Sequence, residues 1–159
     1  MYREAREATG MSREAASFRV HIGSRTLGSY ERGETLCPPD VVLEMAKVYT
    51  RPDMPAMYCS DICPIGRKFA HKCQRDDLAT TVLGVIKELN DVENSKMDLV
   101  TVAADGRIVG DEMGTYRAAM IELLELEKAI VETKQQAAKN GIDLEELMRH
   151  EESAFAEAL

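Results

Sequence analysis

The chain has 159 residues, with 28 Asp+Glu against 20 Lys+Arg, a net charge of −8 and a hydrophobic fraction of 45%. That fraction is ordinary for a packed protein, and no tract approaches the roughly 18–20 apolar residues of a membrane span. The total charge hides an asymmetry: residues 1–75 carry 12 Lys+Arg and 9 Asp+Glu, whereas residues 76–159 carry 8 and 19. Charges are felt over a Debye length of about 8–10 Å, so only the first half is electrostatically suited to a polyanion. The N-terminal MYREAREATG has no apolar stretch of the secretory kind. The four cysteines then point to a reducing compartment, and the expected location is cytoplasmic.

Start and stop signals divide the first half into short helices. Residues 2–9 are charged and Ala-bearing, and Gly10 is a plausible left-handed stop. Ser12 suits an N-cap for a second helix over residues 13–20, with Ala15, Ala16 and Ser17 as a small-residue face. His21-Ile22-Gly23 forms the turn, a third helix spans residues 24–30, and Gly33 ends it. Pro38-Pro39-Asp40 opens a fourth helix, whose apolar face is Val42, Met45, Ala46 and Tyr49 at helical spacing. Two helices joined by a three- to four-residue turn make the unit used for major-groove recognition, although any small helical domain contains such corners.

The residues carry a more specific signal. Arg6, then Gly10-Met11-Ser12 at the opening of the second helix, Ile22 in the turn and Tyr30-Glu31-Arg32-Gly33 at the end of the third fall in register without a gap. In these positions residues 2–50 resemble the Cro and phage-repressor (XRE) family of helix-turn-helix domains. The resemblance implies a structural ion pair between Arg6 and Glu31 behind the reading helix. It places Ser24, Arg25, Gly28 and Ser29 where side chains face base edges, and Arg13 and Arg32 where the family touches phosphates. Arg25 is the principal base reader, since a guanidinium donates bidentately to guanine O6 and N7. Gly28, lacking a side chain, serves only to permit close approach. Three positions depart from the family pattern: Ser17 replaces an alanine, His21 stands where glycine is frequent and calls for a left-handed backbone, and Gly28 weakens the reading helix. The implied partner is a double-stranded DNA operator.

After the fourth helix, Pro52, Pro55 and Pro64 mark a connector with short helical pieces. It holds Cys59 and Cys63, then His71 and Cys73, with Cys37 earlier. These side chains are either ligands of a thiophilic metal or a redox sensor, or else ordinary small buried thiols and a partly exposed histidine. The spacing is unlike the familiar C-x2-C pairs, so no cofactor is expected.

Beyond a boundary at Arg75-Asp76-Asp77 the acidic half is helical. Leu78, Val82, Val85, Leu89 and Val92 step by four and three, the spacing of a packing seam. A second stripe runs through Tyr116, Met120, Leu123, Leu126 (or Glu127) and Ile130 toward Ala137. Ser95-Lys96-Met97-Asp98 reads as a capping box that starts a separate shorter helix. Gly141 sets off a tail, residues 142–159, with Leu144, Leu147 and Met148 on one side. The stretch TVAADGRIVGDE places Asp105, Gly106, Ile108 and Glu112 at calcium-loop positions. Thr101 and Ala103 supply too few oxygen ligands, so a helix-to-helix turn with residues 107–109 extended is expected instead.

No nucleophile–base set and no phosphate-cradling glycine loop emerges, and no enzymatic activity is expected. The expected fold is all-α: a five-helix-type helix-turn-helix domain with its cysteine connector over residues 1–75, then a helical hairpin or coiled-coil-like extension over residues 76–159. The corresponding function is a dimeric, sequence-specific repressor assembled through residues 78–138. The alternatives are a protein-interaction module whose core no longer binds DNA, or a regulator responding to metal or redox through Cys59, Cys63 and Cys73.

Overall fold

The computed structural model describes residues 1–74, 77–104, 106–110, 112–144 and 146–149. Among these residues the chain is all-α, without a strand. It divides into two compact units, Met1–Lys72 and Cys73–Leu159. Arg75 and Asp76 of the charge boundary, Asp105 of the calcium-loop motif and residues 150–159 of the tail lie outside the described residues.

The first unit contains α1 (Tyr2–Ala8), α2 (Arg13–Arg19), α3 (Ser24–Arg32), α4 (Pro39–Val48), α5 (Met54–Asp61) and α6 (Gly66–Phe69). Local chemistry sets most of these boundaries. The Ser12 hydroxyl accepts from the Ala15 N–H at 3.1 Å, which satisfies one orphan donor of α2. Gly33, at φ 72°, ends α3 in the left-handed region, and the N–H groups of Gly33 and Glu34 reach back to Tyr30 and Ser29 carbonyls at 3.1 and 3.0 Å. α3 thus runs one half-turn beyond the expected residue 30, to Arg32. His21 takes φ 58°, the left-handed backbone that its turn position requires. Prolines near the starts of α4 and α5 sit where no helical N–H is needed.

These helices close around one apolar core. Ala5, Ala16, Leu27, Met45 and Met54 are completely buried, with Val42 and Cys37 nearly so. Ile22, in the turn, packs against the same cluster and so ties the α2–α3 corner to the core. Ser17 fits beside Ala16 because its hydroxyl donates to the Glu14 carbonyl at 2.9 Å, leaving no unsatisfied group. The Tyr58 hydroxyl donates to the Cys37 carbonyl at 3.0 Å and fastens α5 to the loop before α4.

The second unit is a hairpin of α7 (Leu78–Ala103) and α8 (Glu112–Lys139). Asp77 caps α7 by accepting from the Thr80 N–H at 2.9 Å. The helices run antiparallel: Glu88 lies by Ala129 and Lys128, and Asp91 by Glu122. Leu144 and residues 146–149 are also helical, with Leu147 and Met148 exposed.

Two expectations are corrected here. The Ser95 motif starts no helix, because α7 continues unbroken to Ala103. The Ser95 hydroxyl donates to the Asp91 carbonyl one turn back, at 3.1 Å, so it is absorbed by the helix rather than capping one. The packing seam is also shifted. Leu78, Val82 and Leu89 are exposed at 53%, 42% and 51%, and the buried line of α7 is Thr81, Gly84, Glu88 and Val102. On α8 the buried residues are Ala119, Ala129, Glu132 and Gln136. Small and polar residues of both helices thus fill the buried line, and larger apolar groups lie on its flank.

Candidate nucleic-acid interface

The α2–α3 corner is held from behind by an ion pair. Arg6 Nε donates to Glu31 Oε1 at 2.6 Å and Arg6 Nη2 to Oε2 at 3.2 Å, while Arg6 Nη1 reaches the Met11 carbonyl at 2.8 Å. Both side chains are almost fully enclosed, at 8% and 2% exposure. Burial pushes the Glu31 carboxyl up, but hydrogen bonds from Arg6 and Arg13 and their charges outweigh it and hold it below its ordinary value. One guanidinium thereby connects α1, the loop before α2 and the end of α3. This is a positioning role, and it leaves Arg6 unavailable to an external partner.

The outer surface of α3 is polar. Arg25 is exposed, with exposed Thr26 beside it, and Ser24 and Ser29 are half-buried. The Ser24 hydroxyl donates to Glu14 Oε1 at 3.3 Å. Arg25 makes no hydrogen bond or ion pair with any described residue, and its neighbours in α1–α4 differ sharply in this respect. Arg3 is paired with Glu7, Arg13 with Glu31 and Arg32 with Glu34, at 2.8, 3.3 and 2.6 Å. Arg19 reaches the Met11 sulfur at 3.8 Å. Among the described arginines of α1–α4, Arg25 alone presents its whole fork of donors to solvent.

Gly28 is buried, and its surroundings show what its missing side chain allows. A Cβ there would stand 3.0 Å from Arg32 Nη1 and 3.7 Å from Arg13 Cδ and Nε. The close approach at Gly28 is therefore made by the chain's own arginines, which converge from α2 and the end of α3. Two guanidinium groups so placed can grip one phosphate. Each already has a carboxylate partner, so phosphate would have to compete with Glu31 and Glu34.

Sequence reasoning missed two exposed residues of this region. Thr26 lies between the named α3 positions and carries a hydroxyl suited to a base edge or a phosphate. Phe18 on α2 is 82% exposed, an unusual placement for a large aromatic. Its signal was present in the sequence, since it falls off the Ala16–Ser17 buried face by helical spacing.

The cysteine segment shows no comparable convergence. Cys37 is buried, Cys59 exposed and Cys63 half-buried in the first unit, and Cys73 belongs to the second. Burial foremost, then the charge of Asp40, pushes the Cys37 thiol up to about 12, against a weaker opposing bond with Tyr2. It is thus held protonated, unlike a metal-binding thiolate. Among the described residues, the group of three or more potential ligands whose donor atoms lie within 4.8 Å of one another is Glu88, Asp91 and Glu122. Those are hairpin carboxylates, and Lys87 Nζ neutralises two of them by reaching Glu88 at 3.2 Å and Asp91 at 2.8 Å. The calcium-loop motif is likewise occupied by helix chemistry. Thr101 lies within α7 and donates to the Met97 carbonyl at 2.9 Å, and Glu112 at the start of α8 accepts from the Val109 N–H of the preceding turn at 3.3 Å.

Residues 3–55 match a family model described as a helix-turn-helix domain, consistent with the Cro and phage-repressor resemblance. The match spans α1 to α4 and the first residues of α5. It places this segment in the class of domains on which DNA-binding regulators are built. No curated protein and no solved structure matches the chain. No helix among the described residues is long and apolar enough to cross a membrane.

Proposed function

We propose that this protein is a sequence-specific DNA-binding transcriptional repressor, acting in the cytoplasm as a homodimer joined through residues 78–138. In this reading α3 lies in the major groove. Arg25 reads a guanine, Ser24 and Ser29 contact neighbouring base edges, and Arg13 and Arg32 hold the phosphates. The observation that carries the reading is the state of Arg25: exposed on the outer face of α3, with every other described arginine of α1–α4 already engaged. A rigid helix presenting an unpaired guanidinium is the arrangement direct readout requires, and no metal, cofactor or catalysis enters it.

The acidic residues concentrated beyond residue 76 fit the same function. Their field opposes indiscriminate coating of nucleic acid, which leaves binding to depend on the local cationic surface and on matched bases. Dimerisation supplies what one short helix cannot, because a two-fold molecule reads two half-sites about one DNA turn apart.

The test is selection of bound duplexes from a random pool with the full chain and with Arg25→Ala. The expected result is a two-fold-symmetric consensus for the wild type, and relaxed preference at one base pair per half-site for the variant. The loss of discrimination there should be about 1–3 kcal/mol. Affinity should fall steeply with salt, and Arg32→Ala should reduce that slope while leaving the consensus unchanged. Folded protein that enriches no sequence at low salt would overturn the function.

A further inference from the structure

We infer that Glu14 sets what the reading helix recognises beside the guanine of Arg25. By taking the only proton of the Ser24 hydroxyl, it leaves Ser24 an acceptor and directs it to a base with an exocyclic amino group, adenine or cytosine. The inference rests on the DNA-reading function above and names the class of base at one further position of that site.

The fold brings the starts of α2 and α3 together. Ser24 is the first residue of α3, beside Arg25, and Glu14 is the second residue of α2. Residues at the N-terminal end of a reading helix are the ones that meet base edges. The Ser24 hydroxyl lies 3.3 Å from Glu14 Oε1, although ten residues separate the two in the chain.

Chemistry fixes the direction of this bond. An ionised carboxylate has no hydrogen to give, so the hydroxyl donates. Glu14 is kept ionised, its carboxyl held below the ordinary value by its own backbone N–H first. The hydroxyls of Ser24 and Ser12 and the charge of Arg13 add to this, and together they outweigh desolvation. These bonds also hold the carboxylate in place, since Ser12 is itself anchored as the cap of α2.

A serine hydroxyl has one hydrogen and two lone pairs. With the hydrogen turned to Glu14, Ser24 offers a base only lone pairs. In the major groove adenine N6 and cytosine N4 donate, whereas guanine O6 and N7 and thymine O4 accept. Guanine or thymine opposite Ser24 would therefore set acceptor against acceptor. Thr26 supplies the contrast: it is exposed on the same helix, and its hydroxyl bonds to no described residue. It keeps both roles and discriminates little.

The experiment is selection of bound duplexes from a random pool with the full chain and with its Glu14→Ala and Ser24→Ala variants, each shown to be folded by circular dichroism. The position that Ser24→Ala relaxes is the one in question. Wild-type protein should enrich adenine or cytosine there, with guanine and thymine disfavoured roughly tenfold, and the base enriched tells the two apart. Glu14→Ala frees the hydroxyl to rotate, so all four bases should be admitted at that position while the Arg25 guanine stays. Replacing the selected base by an analogue without its amino group should cost the wild type roughly tenfold in affinity and Ser24→Ala little. Guanine or thymine at that position would overturn the inference. So would a Glu14→Ala protein that keeps the base choice and binds every duplex more weakly, the mark of a merely structural tie. Folded wild type that enriches nothing would sink the function and this inference together. An enriched Arg25 guanine with no amino-bearing base preferred at any position that Ser24→Ala relaxes would sink the inference alone.

Discussion

The two units solve the burial problem in opposite ways. The first encloses Leu27, Met45 and Met54 completely and ties α1, α2 and α3 together through the ion pairs of Arg6 and Arg13 with Glu31. The second encloses Thr81, Glu88, Glu132 and Gln136 and leaves leucines, isoleucines and valines outside. Buried polar groups have to be satisfied, and those with visible partners are. The Thr81 hydroxyl donates to the Asp77 carbonyl at 2.7 Å, and Glu132 accepts from the Gln74 N–H at 3.0 Å. Satisfied polar pairs contribute little net stability compared with apolar burial, so the second unit gains less from its own folding. The difference lies in what each unit encloses, since the first also leaves Phe18, Ile65 and Phe69 exposed.

The largest expected effect tests that contrast directly. Leu27→Ala empties a fully buried site and should destabilise the first unit by about 2–5 kcal/mol in urea denaturation. Leu124→Ala, at a residue of α8 that is 47% exposed, should change stability by less than about 1 kcal/mol. Equal costs at the two sites would remove the distinction between the units.

Next comes the lock in the first unit. Removing Arg6 leaves Glu31 enclosed with only the longer Arg13 contact at 3.3 Å, and Arg6→Ala should cost about 3 kcal/mol. The sign of the pH dependence follows from the lowered Glu31 carboxyl. Its contribution is fully present above the ordinary glutamate value of about 4.3, and is lost as pH falls through the lower value it has in the folded protein. Stability followed by circular dichroism between pH 6 and 3 should therefore decline more steeply in the wild type than in an Arg6→Ala, Glu31→Gln variant. Parallel curves would assign the acid sensitivity to other carboxylates.

The smallest effect concerns the corner itself. His21 sits at φ 58°, where a side chain is disfavoured, so His21→Gly should raise stability by roughly 1 kcal/mol in the same denaturation assay. A loss instead would mean that the imidazole makes contacts worth more than the backbone strain it brings.

Much of the first unit was legible in its residues because local chemistry fixes it. Ser12 as a cap, Gly33 as a stop and prolines near the starts of α4 and α5 act within a turn of their own position, and Ile22 has no polar alternative to the core. The sequence was less informative wherever the outcome depended on which of two adjacent surfaces meets a partner. Gly28 looked like clearance for a base, yet the arginines that fill the space come from elsewhere in the chain. Ser95 looked like a helix start, yet α7 runs through it because a capping signal of about 1 kcal/mol cannot interrupt a helix held along its length.

The sequence by itself determined the all-α class, the helix-turn-helix register, the separation of charge between the halves and the exposure of Arg25 on its helix. Each of these depends on periodicity, on turn chemistry or on composition, all of which are properties of neighbouring residues. Only the tertiary structure decided which side of α7 turns inward. A four-three repeat of apolar residues defines a stripe but not its partner, and the residues one position away, Thr81, Gly84 and Glu88, are the ones buried. Of the stripe that looked like the hairpin's own seam, Leu78, Val82 and Leu89 are left facing outward while Val85 and Val92 are half-buried.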